Sequence, residues 1–598
     1  MAQPLPIDNI DVVSYTIKID GSPIKSTYYV LSIDVRKEVN RVASAKVIFV
    51  LDRGQAANEA FEPSESDDFK PGKEIEIQLG YHSKDKTVFK GIIVNQSLKA
   101  RPDRRVQLIV HCSDKAVKMT LGRRNKYFKD MTDSSVISGI IDNYGLEKAV
   151  ESSAYQHKQL IQYHAVDWDF MVARAEANGM IAYTSDGKVY VKKPLASGAA
   201  QLKINYDRDV FEFDGEIETR FQIPSAVAHS WDMKKQAVTE GKSSPPSVPS
   251  QGNLTGTQLA ATLNLDEFEL HSTGPIEAAE LKEWAKAALL KSTLARIRGR
   301  VSFFGNEMPA VNTLITLEGF GKRFNGDALI SSVHHTVSEG SWITEVGFGL
   351  PPEWYAEERP ITTPPAGGLL AGVHGLQNAT VKKIDADPDG EFRVQVEVPM
   401  IAASGDGIWA RLANFYATNK KGSFFIPEVN DEVVIGFLNN DPRYAVILGS
   451  LYSSKQAPPY TPDTENSIKA IVTKNDLKLE FNDKDKILTV QTPAGNKFIL
   501  SDKDKSITVQ DQNGNKMEMA AAGITIKSAK DITLQATGKI DIKANQNISA
   551  QASGGDVSLQ GLNVNAKANI AFSAQGSASA ELKAAGNTSI KGAMVMIN

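Results

Sequence analysis

From residue 523 onward the chain writes one short element again and again. In GITIKSAKDITLQATGKIDIKANQNISA (523–550) apolar residues fall in pairs one residue apart, Ile524/Ile526, Ile532/Leu534, Ile540/Ile542 and Ile548/Ala550, and each pair starts eight residues after the last. Eight residues hold one strand of about five or six and a turn, and strand alternation sends both members of a pair to the same face. Stacked at about 4.8 Å per layer, such strands build a β-solenoid with its strands across the long axis, and the repeats between 470 and 598 would make a needle on the order of 70 Å long. After a one-residue slip at Gly554/Gly555 the pairs continue less regularly, through Val557/Leu559, Leu562/Val564, Ile570/Phe572 and Ile590 to Val595/Ile597. The period fits either three successive octads of one chain per coil or one octad from each of three chains per layer. The inward positions are rich in Ala, Ser and Asn, a thin core for one chain, which favours three intertwined chains.

Ahead of the octads stand two copies of one 19-residue unit, LEFNDKDKILTVQTPAGNK (479–497) and FILSDKDKSITVQDQNGNK (498–516). Their DKDK runs read as solvated turn charges. At 598 residues the whole chain exceeds what a single core supports, so several domains are expected. With 41% hydrophobic and 23% charged residues most of it should be folded, and a net charge of -4 offers no electrostatic case for a nucleic-acid partner. The single cysteine, Cys112, excludes an intramolecular disulfide and fits folding in a reducing compartment. The N-terminal MAQPLPIDNIDVV has no signal-peptide pattern and no stretch approaches a membrane span, so export would need another route.

Within residues 1–360 strand alternation dominates the first 120, as in KVIFVL (46–51), KEIEIQLGY (73–81) and VQLIVHC (106–112), and strands return later, as in LITLEGF (314–320). SSVISGIIDNYGL predicts a helix capped by Asp133, with Val136, Ile137, Ile140, Ile141 and Tyr144 at helical spacing and Gly145 closing it. DWDFMVARAEANGM predicts another, opened by Asp167, with Trp168, Met171, Val172 and Ala175 on one side and Gly179 at its end. A long helix is expected from Pro275 to Arg298, ended by Gly299. EGKSSPPSVPSQGNLTG (240–256) reads as a loop or linker, and ERPITTPPAGG (358–368) as the clearest domain boundary. Residues 369–455, with strands expected at 392–398, 422–427, 431–438 and 445–451, suit a small Greek-key barrel of the OB type. Residues 456–475 form a linker to a needle over 476–598.

The barrel and needle together resemble the VgrG family, the spikes of type VI secretion and related contractile injection systems, themselves similar to phage tail hubs and spikes. The resemblance rests first on AGVHGLQNATVKKIDADPDGEFRVQVEVP (371–399), IWARL (408–412) and GSFFIPEVNDEVVIGFLNNDPRYAVILGSLY (422–452). Within these, Pro427-Glu428-Val429, Asp431-Glu432-Val433 and Phe437 to Arg443 are its most specific elements. In the N-terminal half the DWDF helix and GNEMPAVNTLITLEGFGKRFNGDALISSVHHTV (305–337) resemble the family's phage-hub-like domain. The short stretch between barrel and repeats leaves no room for the lysozyme domain some relatives insert, and MVMIN stands where others append a toxin.

The resemblance implies a mainly β protein: a hub of β-barrel domains with a few helices, an OB-fold barrel, and a C-terminal triple-stranded β-helix needle formed as a homotrimer. It implies a structural spike linking baseplate proteins and a hexameric inner tube protein to a PAAR-type tip protein, puncturing target membranes and carrying effector cargo. Such a spike is made and assembled in the cytoplasm and then exported by the apparatus. The last layer of a strand stack leaves unpaired N–H and C=O groups, so Ala593, Met594, Val595, Met596, Ile597 and Asn598 are the expected cap-binding residues. The competing readings are a carbohydrate-active β-solenoid enzyme and a tail spike of a contractile phage. Glycosidases need two carboxylates at fixed separation, which short Ala-rich repeats do not carry.

No catalytic, cofactor or metal residues are expected. In their strands His111 and Cys112 point to opposite faces, as do His334 and His335, so neither pair makes a nucleophile–base couple or a two-ligand site. DADPDG (385–390) lacks the glutamate of a calcium loop and reads as a turn between strands. No histidine follows His374, so a His-held tip metal cannot come from this chain.

Overall fold

The computed structural model describes residues 3–5, 11–51, 62–100, 106–402 and 405–597, which fall into two compact units, Met1–Leu451 and Tyr452–Asn598. In the first unit the alternating segments join one continuous fourteen-stranded sheet carrying two separate cores. Strands Tyr29–Glu38, Ser44–Leu51, Glu74–Tyr81 and Val106–Ser113 cover the first, where Ile33, Val47, Ile77, Leu79 and Leu108 are fully buried. Strands Leu202–Asn205, Ile297–Phe304, Leu314–Glu318 and Ser341–Phe348 cover the second, around Ile204, Val301, Phe303, Ile315 and Val346.

One strand, Gly326–Ser338, serves both. Its early residues Ala328, Leu329, Ile330 and Val333 fill the second core and Val337 lies in the first. It pairs with Leu314–Glu318, with Ser341–Phe348 and with Tyr29–Glu38, and the ladder slips between Ile330 and Ser332. Such a bulge bends the strand and raises its twist, which lets one strand line two cores.

The two short helices form as Asp133–Asp142 and Asp167–Ala177, packed on the hairpin Ile181–Ser185/Lys188–Lys192, and both end as expected at left-handed glycines, Gly145 and Gly179. The cap of the first is Thr132, whose hydroxyl accepts the Ser135 N–H at 3.2 Å, and not Asp133. The Asp133 carboxylate is committed elsewhere. It accepts Arg174 Nε at 2.6 Å and Asn178 Nδ2 at 2.9 Å, and His157 Nε2 lies 3.0 Å from it. Burial pushes its pKa up, but Arg174, His157 and Asn178 outweigh that and hold it below the ordinary carboxylate value. The second helix has no side-chain cap; Asp167 is its first residue and accepts hydrogen bonds from Tyr144 Oη and Gln162 Nε2, each at 2.7 Å. The third helix is shorter than its pattern suggests, Ala278–Leu294, and lies on the strand Ala226–Asp232 through Ala226, Ala228, Leu281 and Ala285. Gly299 does not end it. It belongs to the following strand, where a Cβ would sit 2.1 Å from the Asp214 carbonyl oxygen.

The expected loop 240–256 is narrower: residues 240–242 close the strand Ala237–Lys242, Gly256 opens a short helix, and 243–255 lie against the second core, held where Gly252 N–H donates to Asn325 O and Arg296 Nη2 to Gln251 O, both at 2.8 Å. The OB-type barrel has a core of its own and closes from five strands, Gln377–Lys383, Val394–Glu397, Ile408–Leu412, Ala445–Ser450 and Glu432–Phe437 in spatial order. GSFFIP is not among them: only Lys421–Gly422 pairs, with Ala417–Thr418, and Phe424 and Phe425 are both exposed. IWARL supplies the missing barrel strand. The PEV-DEV element is a turn, with Asn430 in the left-handed region (φ 76°), the Asp431 carboxylate accepting Glu428 N–H at 2.8 Å and Asn430 N–H donating to Val381 O at 2.9 Å. In the DPR element buried Asp441 accepts Arg443 Nη2 at 2.6 Å. In DADPDG, Asp387 accepts the backbone N–H of Glu391 and Arg393 together with the Arg393 guanidinium, so this stretch is a clamped turn.

The shared strand carries the histidine pair on opposite faces. His334 Nε2 meets Asp34 at 2.7 Å at the surface, whereas His335 is buried beside Trp342, its Nδ1 3.0 Å from Thr344 Oγ1. Burial, aided by the charges of Lys37 and His334, pushes the His335 pKa down to about 3. With the folded value below the unfolded value of roughly 6.5, its contribution to stability is complete above that pH and is lost as pH falls towards 3, by at most about 1.4 kcal/mol per pH unit. Urea unfolding between pH 6.5 and 4 should therefore show a shallower loss of stability in His335→Gln than in wild type. Parallel curves would place no such cost on His335.

Candidate assembly surface

The two 19-residue copies do not form solenoid coils. Each supplies two five-residue strands and two tight turns, and with flanking segments they build a seven-stranded antiparallel meander: Ile468–Val472, Lys478–Asn482, Ile487–Gln491, Lys497–Ser501, Ser506–Gln510, Lys516–Ala520 and Gly523–Lys527. Four-residue DKDK connections are long enough to reverse the chain, which an octad turn is not required to do. Their closing residues Lys486 and Lys505 take left-handed backbone, and the alternate turns use Gly495 and Gly514. The DKDK charges form the turns and pair along that edge: Lys484 with Glu465 at 2.8 Å, Lys503 with Asp485 at 3.2 Å.

Register makes the sheet one-sided. One rung across all seven strands reads Ile471, Leu479, Val490, Phe498, Val509, Met517, Ile526, and its neighbour on the same face continues Phe481, Leu488, Leu500, Ile507, Met519, Ile524. The central rung of the opposite face reads Ala470, Glu480, Thr489, Ile499, Thr508, Glu518, Thr525. Exposure is inverted with respect to an ordinary half-buried sheet. On the polar face Ser501 and Thr508 are buried, while on the apolar face Phe481, Val490 and Val509 are 43%, 44% and 48% exposed. A contiguous apolar face of this kind marks a surface that binds another, since fully burying one such side chain is worth about 1.5–3 kcal/mol.

Beyond Lys527 no described residue joins a strand ladder within the chain. The backbone runs in extended segments broken by bends at 529/530, 537/538, 545/546, 553–555, 561/562, 569/570, 577/578, 585/586 and 593/594. The eight-residue spacing of the bends thus holds to the end: after the slip at Gly554/Gly555, which displaces Val557/Leu559, the pairs Val564/Ala566, Phe572/Ala574 and Ala580/Leu582 return to the octad positions, and Val595/Ile597 lies one residue off them. The apolar pairs are exposed throughout. Of the expected cap-binding residues, Ala593 and Met594 form the last bend and Val595, Met596 and Ile597 an exposed extended end, Ile597 at 88%. Asn598 lies outside the described residues.

The remaining sequence candidates are kept apart. Cys112 is buried, burial pushing its thiol up to about 12, and His111 is exposed on the other side of the strand. Two features carried no readable signal in the sequence: the buried Asp133–Arg174–His157 group, whose members are far apart in the chain, and the single polarity of the meander, visible only once strands are set in register.

Three family models match the chain: the Alg8 N-terminal domain over residues 9–339, the type VI secretion system/phage-baseplate injector OB domain over 377–452, and the phage baseplate V C-terminal trimerisation domain over 487–569. Type VI secretion system spike protein VgrG3 of Vibrio cholerae serotype O1 is 22% identical over 386 residues, 58% of this chain and 36% of that protein. Spike protein VgrG1b of Pseudomonas aeruginosa is 21% identical over 400 residues, 60% of this chain and 51% of its own length. The chain thus spans between about a third and a half of these curated relatives. Among solved structures the E. coli c3393 protein, described as a type VI secretion component with structural similarity to T4 tail proteins gp27 and gp5, aligns over 73% of this chain and 99% of its own at 13% identity and TM-score 0.37. The Alg8 N-terminal domain is matched over more than half of this chain, which therefore belongs to that family; the injector OB domain on its closed barrel, the trimerisation domain across meander and octads and the curated relatives support a VgrG-family spike.

Proposed function

We propose that three copies of this chain assemble into the spike at the tip of a contractile injection apparatus. The observation that carries this reading is the meander's exposed apolar face followed by octads that make no ladder within their own chain, at the place where the trimerisation domain matches. Three chains wound together pair every octad with a neighbour, bury the small apolar pairs at a common axis and leave no lateral sheet edge. Residues 1–360 face the hexameric inner tube and the baseplate, and the needle points towards the target.

The role is mechanical. Load along the needle passes through hydrogen-bonded layers stacked on one axis, driving the tip through the target membrane with effectors attached. The cap-binding residues of this reading are Ala593 to Asn598, where a PAAR-type cap would continue the strand stack. No described helix is long and apolar enough to cross a membrane, in keeping with a spike built in the cytoplasm and moved by the apparatus.

Light scattering of the purified protein should give three times the single-chain mass of 65.0 kDa; a single-chain mass at micromolar concentration overturns the reading. Deleting residues 591–598 should leave the trimer assembled and abolish capture of the cap in a pull-down. Capture at wild-type affinity would place the cap elsewhere.

A further inference from the structure

A trimeric needle of this kind has to start somewhere, and its two segments are unequally prepared. The meander completes its own ladder inside one chain, through contacts between residues close in sequence, so it forms early and offers a finished surface. The octads make no such ladder and bring one apolar pair each, so each must be ordered against neighbours already in place, at a cost in backbone conformational entropy.

Between the segments stands Asn515. Its Nδ2 donates to Asp511 at 2.7 Å, and its Oδ1 accepts Ser528 Oγ at 2.8 Å and the Ala529 N–H at 3.0 Å. Asn496, its counterpart in the first copy, accepts the Gln512 N–H at 3.0 Å in the same way. The duplicated GNK therefore links one turn to the next on that edge. At Asn515 the link reaches the first octad bend, from which all later bends follow at intervals of eight.

We infer that the apolar face of the meander, residues 468–527, is where two further copies of this chain dock first, and that Asn515 hands the register set there to the octads. The inference rests on the trimeric reading and adds an order and a register residue to it. Docking buries large side chains such as Phe481, Phe498 and Leu500 across seven strands at once, whereas an octad layer offers at most one apolar pair per chain. The trimer therefore tolerates a lost octad layer but not a charged meander face.

The test compares full-length variants by sedimentation. Leu500→Lys puts a charge on the apolar face, Ile499→Lys puts the same charge on the other face of the same strand, and Ile540→Lys puts it in an octad. Leu500→Lys should fall to the single-chain mass while the other two stay trimeric. Asn515→Ala should keep the trimer mass but speed amide hydrogen exchange over 528–544 by roughly fivefold or more, the effect of losing a junction hydrogen bond, with 478–510 unchanged. A trimeric Leu500→Lys, dissociation of Ile499→Lys or Ile540→Lys, or wild-type exchange in Asn515→Ala overturns the inference. A wild type that is itself single-chain overturns the trimeric spike instead.

Discussion

Backbone N–H and C=O groups taken out of water need partners, and how this chain meets that demand changes at Lys527. Up to that point strands pair within the chain, in a continuous sheet, a closed barrel and a meander. Past it the extended segments have alternating side chains and regular bends but no ladder of their own. An extended backbone in this state is stable only beside other strands, and the meander directly ahead of it exposes an apolar face.

The hub meets the same demand by sharing. Gly326–Ser338 is hydrogen-bonded on both sides and lines two cores, so the two halves of the sheet cannot shift independently without breaking ladders in both. Residues 305–337, one of the two stretches that resemble the hub-like domain, run into this strand. In the OB-type barrel the most specific residues are likewise geometric: Asn430 tolerates the left-handed backbone, while Asp431 and Asp441 satisfy N–H groups and a guanidinium in turns.

Three titratable groups inside the hub are buried or paired. Cys112 is buried as a neutral thiol, His335 is kept neutral by burial, and Asp133 is locked by Arg174. Each is a packed or paired interior group within a protein whose features point to assembly.

Much of this was legible from the residues. The eight-residue period, the duplicated unit, the small barrel and the two short helices with their terminal glycines are each written locally, in spacings the chain must obey whatever surrounds it. The ends of elements were not. Asp133 can cap a helix, but Thr132 can too, and a half-buried arginine from another helix claimed the aspartate. Gly299 looks like a helix stop, yet the close approach of a neighbouring strand needs a glycine there. GSFFIP has the composition of a strand but no ladder. Most of all, periodicity said which face of each repeat is apolar without saying which strand lies next to it. Alternation is a property of one strand, whereas pairing depends on whether the connecting residues reverse the chain; the DKDK and GNK turns do, and the octad bends do not, so only the folded chain decided where the meander stops and the octads without a ladder of their own begin.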